Sequence, residues 1–166
     1  MAGKANKKNE ELASGYQETG YYDVIKPDDD TKINLARTFG NVFGRFLEEK
    51  GLSQASVERR SCVSYRSLDR YKDNRIPQDR RIVIQIAMGL LLEADERDKL
   101  LRAYPGRFAP FDSTDPSDRI IARHYDAIIE EFKKSGKEDP YLLDNVNMMN
   151  EELAKAGLPR LFEEKG

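Results

Sequence analysis

Residues 51–74 read GLSQASVERRSCVSYRSLDRYKDN, and the fold is decided here. The apolar positions Leu52, Val57, Val63, Leu68 and Tyr71 are too sparse for one long buried helix. They suit two short helices, about 53–61 and 65–73, that meet at a tight turn and each bury one side. Ser53 and Ser64 stand where side-chain oxygens can accept from the first free backbone N–H groups of each helix. Asn74 stands just past the second helix, where a residue tolerant of left-handed backbone is wanted. The pattern is that of a helix-turn-helix.

Working outward, every neighbouring segment also reads as helix. Asp28-Asp29-Asp30-Thr31 offers caps and acids for a helix start. The triplet lacks the alternating spacing and glycine of a calcium loop, so capping is the preferred reading over a metal site. Ile33, Leu35, Phe39, Val42, Phe43, Phe46 and Leu47 follow at spacings near three and four, and Gly51 supplies a stop. Gly40 and Gly44 form a GxxxG, which in a water-exposed helix marks close packing more often than association. Pro77 separates the next helix, about 79–92, from the pair before it. Another follows at about 94–104, with Leu100 and Leu101 inward. A connector rich in proline precedes two further helices, expected at 116–134 and 140–156. Asp115-Pro116 and Asp139-Pro140 open them, and Gly157 and Pro159 close the second. The fold class is therefore all-α, in three parts: a mobile arm at 1–30, a helix-turn-helix domain at 31–104 and a helical extension at 105–166.

Composition narrows the function classes. The 166 residues are 35% charged with a net charge of −2, which by itself does not suggest a nucleic-acid binder. The distribution does. Residues 51–81 hold eight bases (Arg59, Arg60, Arg66, Arg70, Lys72, Arg75, Arg80, Arg81) against four acids (Glu58, Asp69, Asp73, Asp79). A basic patch in an acidic chain is a footprint for a polyanion, and the alternative is a solvated helix face. A single cysteine, Cys62, excludes an intramolecular disulfide and a cysteine-built zinc site. The longest apolar run, residues 82–92, is well short of the roughly 20 residues of a membrane span. With no signal-peptide pattern, a soluble, cytoplasmic chain is expected. No phosphate-binding glycine loop or activated nucleophile is apparent. The lone His124 reads as a surface or satisfied residue, so no enzyme, cofactor or metal is expected. Asp115, Asp118 and Asp126 could hold a metal only if the fold gathered them.

The stretch resembles the Xre/Cro, lambda-repressor-like family. The resemblance is carried without a gap by Gly51-Leu52-Ser53-Gln54, Val57, Val63-Ser64, Leu68 and Arg70, and then by Ile86-Ala87-Met88-Gly89-Leu90. It implies a compact five-helix bundle with a C-terminal helical extension. The extension itself is similar to that of some small Xre-type proteins, through Leu100-Leu101, Asp118-Arg119-Ile120-Ile121, Asn145-Val146-Asn147 and residues 157–161. Three positions depart from the family pattern. Glu58 stands at a closely packed position, which requires that its carboxylate tilt outward or pair with an arginine. Cys62 and Asn74 replace glycines, and cysteine takes left-handed backbone less easily than asparagine.

What the resemblance implies is sequence-specific binding of duplex DNA by a transcriptional regulator, with the helix near 65–73 in the major groove. By motif position Tyr65, Arg66 and Arg70 point outward, and each arginine suits guanine O6 and N7. Tyr65 suits a thymine methyl or a phosphate. Gln54 and Arg75 are expected on the DNA backbone, and Ser64 opens the recognition helix. A homodimer is the expected form. Ile120, Ile121, Ile128, Ile129, Leu142, Leu143, Met148 and Met149 are candidates for pairing, for a partner, or for intramolecular core. The competing reading is an adaptor that binds a toxin, phage or regulatory protein instead of DNA. The Tyr-rich arm favours it, as do the thirteen acids against nine bases in residues 107–166.

Overall fold

The computed structural model describes residues 38–73, 75, 77–103 and 106–163. The expected arm, the start at Asp28–Thr31, Ile33, Leu35, Asn74 and Tyr104 lie outside the described residues. Every regular element among those described is helical.

Helix α1 is Phe39–Lys50. Thr38 has extended backbone, and its hydroxyl accepts from Asn41 N at 3.3 Å, so the described helix is capped there. Gly51 ends α1 in left-handed backbone at φ 64°. Helices α2 (Gln54–Ser61) and α3 (Tyr65–Lys72) follow. Ser53 Oγ caps α2 through Ser56 N, and Ser64 Oγ caps α3 through Ser67 N, both at 3.1 Å. Helix α4 is Arg80–Gly89, three residues shorter at its end than the apolar run suggested. Leu91 turns to φ 57°, and Leu92 N donates back to Ala87 O at 3.0 Å, which closes the helix. Helix α5, Ala94–Leu101, opens on a reciprocal capping box between Glu93 and Glu96.

Helix α6, Pro116–Ser135, begins at the expected Asp-Pro pair. The expected continuous helix at 140–156 is broken. Pro140–Leu142 forms one 3₁₀ turn, Leu143 is extended and fully buried, and α7 runs Asp144–Lys155. The cap of α7 comes from another helix, a device that a local reading cannot see. Glu131 on α6 accepts from Asp144 N and Asn145 N, both at 2.9 Å. Desolvation would raise the Glu131 carboxyl, but the bonds from Asn145 and Asp144 outweigh it and hold it below the ordinary glutamate value.

Helix α2 packs on α4, α1 on α3, α4 on α5 and α6 on α7. One hydrophobic core runs without interruption from Phe39 to Phe162. Of the eight residues considered for pairing, Ile120, Ile121, Ile128, Ile129, Leu143 and Met149 lie in this core. Only Leu142 and Met148 are exposed, which removes the other six as an outward pairing surface.

Polar ties hold the two ends of the core together. Arg80, which opens α4, donates to both oxygens of buried Asp118 on α6, at 2.7 and 2.8 Å. The same guanidinium donates to Ala109 O and Pro110 O, so the connector is fixed as well. Buried Arg97 lies 3.5 Å over the Phe111 ring and 4.7 Å over that of Tyr125. The Tyr125 hydroxyl donates to Leu92 O at 2.9 Å. Asp118→Ala should cost roughly 3 kcal/mol, because it takes the counter-charge from Arg80 and the acceptor from the N–H of Asp112. A urea midpoint equal to that of the wild type would refute this.

The GxxxG divides into two different glycines. A Cβ at Gly40 would sit 2.3 Å from Lys72 O, whereas at Gly44 nothing lies within 4 Å. Gly40→Ala should therefore destabilise by about 1–3 kcal/mol. Gly44→Ala should stabilise by about 0.5–1 kcal/mol, since it removes only the entropy penalty of a helical glycine. Denaturant titration of the two variants distinguishes them, and equal effects would show that α1 does not approach α3 this closely.

Candidate nucleic-acid interface

Helix α3 has one buried edge and one open face. Leu68 is fully buried, and Tyr71 is half-buried, with its ring edge-on to Phe39 at 6.0 Å between centroids. Burial pushes the Tyr71 phenol up, and nearby Arg70 pulls it partly back. These residues fix the helix rotation, so positions 65, 66, 69 and 70 fall on the opposite side. Tyr65, Arg66, Asp69 and Arg70 are all exposed there, with Tyr65 45% accessible. Arg75 is exposed beyond the helix end, and its backbone N–H donates to Arg70 O at 3.1 Å.

The turn that aims α3 is three residues long. Cys62 holds left-handed backbone at φ 60°, so the turn keeps the conformation a glycine would adopt, at the steric cost of a Cβ. Val63 behind it is buried, and its N–H donates to Ser61 Oγ at 3.1 Å. Among the described residues Glu58 pairs with no arginine. Its half-exposed carboxylate accepts from Tyr65 N at 2.9 Å, so it caps the start of α3 together with Ser64. Ser64 is exposed, and its hydroxyl is engaged with Ser67.

Gln54 lies differently from the expected backbone contact. The residue is buried, and its amide is occupied at both ends within the protein. Its Nε2 donates to Asp69 Oδ1 at 2.8 Å, and its Oε1 accepts from Lys72 Nζ at 2.9 Å. The side chain is therefore a brace between the start of α2 and the outer half of α3.

The fold also sorts the eight bases. Glu138, on the segment after α6, accepts from both Arg59 and Arg60. Arg60 is buried and donates further to Gly89 O at 2.8 Å and Ser56 Oγ at 3.3 Å. Burial lowers its guanidinium pKa, with Glu138 acting in the opposite sense. Arg80 is held by Asp118, and Arg81 by Asp79 at 2.8 Å. Arg66, Arg70 and Arg75 have no carboxylate partner among the described residues. These three and Lys72 are what remains of the patch. The pairing of Arg59 and Arg60 with Glu138 spans 79 and 78 residues, and no local pattern announces it.

Among the described residues no group of His, Cys, Asp and Glu is arranged to hold a metal. No described helix is long and apolar enough to cross a membrane. Comparison with protein-family models, curated proteins and solved structures finds no match to the chain. The site is thus defined by its own geometry.

Cys62→Gly should stabilise the fold by about 0.5–1.5 kcal/mol, relief of the left-handed strain exceeding the added chain entropy. A lower thermal midpoint for this variant would show that the thiol side chain contributes packing that outweighs the strain.

Proposed function

We propose that this protein is a DNA-binding regulator of the Xre-like helix-turn-helix kind, and that α3 reads the major groove of duplex DNA. One observation carries the reading. Half of the local bases are consumed by internal carboxylates, and Arg66, Arg70 and Arg75, which have no such partner among the described residues, lie on or just past the open face of α3. Unpaired guanidinium groups are also at ease in water, so what supports the reading is their gathering on one side of one short helix. Short capped helices, a three-residue turn and a fixed helix rotation supply the rigid presentation that base reading requires.

Arg66 and Arg70 are assigned to base edges and Arg75 to phosphate, while Tyr65 packs beside them on a thymine methyl or a phosphate. Gln54 acts from behind, as a brace, and only the backbone N–H groups at the start of α2 remain for a phosphate there. Pairing of two copies, which would present two α3 helices about 34 Å apart, is left to surfaces other than the buried isoleucines.

The test is a salt titration of binding to a selected duplex. Arg75→Ala should weaken binding to all sequences and lower the salt slope by about one. Arg66→Ala should relax preference at one base pair by roughly 1–3 kcal/mol. Arg59→Ala, whose charge is already met by Glu138, should leave the salt slope unchanged. Equal behaviour of all three variants would defeat the assignment. Exposed Tyr141, Leu142 and Met148 on the acidic extension favour the adaptor as second reading. Absence of any gel shift at micromolar protein and low salt would select it.

A further inference from the structure

An acid stands in the middle of the proposed reading face, and it is not idle. Asp69 is exposed on α3, three residues after Arg66 and next to Arg70. A carboxylate facing DNA is repelled by phosphates and by guanine O6 and N7, so a simple polyanion-binding face would not keep one there. Its position is also fixed. Buried Gln54 donates to Oδ1 at 2.8 Å, and Lys72 holds the other end of that amide at 2.9 Å. Oδ2 has no hydrogen-bond partner among the described residues.

Resting on the DNA-binding reading above, we infer that Asp69 determines specificity by accepting, through Oδ2, from the exocyclic amino group of a cytosine or adenine in the major groove. An ionised carboxylate is acceptor-only. In the major groove only cytosine N4 and adenine N6 present amino donors, while guanine and thymine present acceptors at the corresponding edge. The face therefore carries both signs of readout: guanidinium groups that demand acceptors and one carboxylate that demands a donor. Gln54 is the positioning residue. It sets the carboxylate orientation and is itself held by burial and by Lys72, so the oxygen is presented without loss of rotamer freedom on binding.

Selection of bound duplexes from a random pool, with the whole chain, tests the assignment. The wild type should show one position restricted to cytosine or adenine, and which of the two is enriched identifies the amino group. Asp69→Ala should lose about tenfold discrimination at that position alone, with the guanine positions kept and the salt slope of non-specific binding increased. Asp69→Asn should shift the position toward adenine, because an amide pairs with N6 and N7 together. Gln54→Ala should blur the same position and leave the others, and a circular dichroism spectrum like that of the wild type excludes loss of fold as the cause. If the wild type selects a site and neither Asp69 variant changes any position, the carboxylate does not read DNA, while the DNA-binding reading stands. If the wild type binds no duplex at all, both fall.

Discussion

A buried guanidinium holds the two halves of this protein in one frame. Arg60 projects from α2 beneath the turn and donates to the carbonyl of Gly89, to Ser56 and to Glu138. A cation placed at the C-terminal end of α4 meets the negative end of that helix, and Glu138 supplies the formal counter-charge. Without these partners the desolvation of Arg60 would be prohibitive. With them, α2 has only one orientation on α4, where Gly89 permits contact so close that a Cβ would lie 3.0 Å from Val57 O. The aim of α3 follows, because three turn residues leave it little independent freedom. The acidic extension is thus a structural counterpart of the basic segment. Part of the charge asymmetry visible in the chain is an internal match, and what is left over defines the open face.

Much of the fold was legible because its signals are local. Ser53, Ser64, Asp115 and Asp139 cap where their spacing to the next apolar residues says they should. Leu52, Val57, Val63, Leu68 and Tyr71 fall on the core side, with Leu52 and Tyr71 partly buried. Where reading failed, a distant group had intervened. The helix at 140–156 breaks because Leu143 is drawn into the core and Glu131 caps from across the interface. The isoleucines of α6 looked available only while nothing showed what covers them.

The candidate face was legible to a similar degree and for the same reason. Helical periodicity is enough to put Tyr65, Arg66 and Arg70 outside once Leu68 is inside. Periodicity says nothing about which charges are already spent. As charges Arg59 and Arg66 look alike in the chain, and the position of Glu138 is what marks Arg59 as already paired. The bracing contact of Gln54 was hidden for a related cause. Its partner Asp69 is 15 residues away on another helix, and a glutamine at a helix start is chemically suited to either job.

The last described residues close the architecture over a long stretch of chain. Phe162 is fully buried in left-handed backbone, its N–H donating to Gln85 Oε1, while Gln85 Nε2 donates to Ser61 O at the end of α2. Asn150 grips Leu161 at both its N–H and its carbonyl. The Phe162–Gln85 contact closes 77 residues of chain, and the docked α6 and α7 shorten the loop that it has to close. Contacts around the turn join neighbours in sequence, whereas the 161–162 segment joins groups far apart in it. Because Leu161 and Phe162 are almost wholly buried, opening of the seam behind α2 requires breaking core contacts rather than fraying of an end.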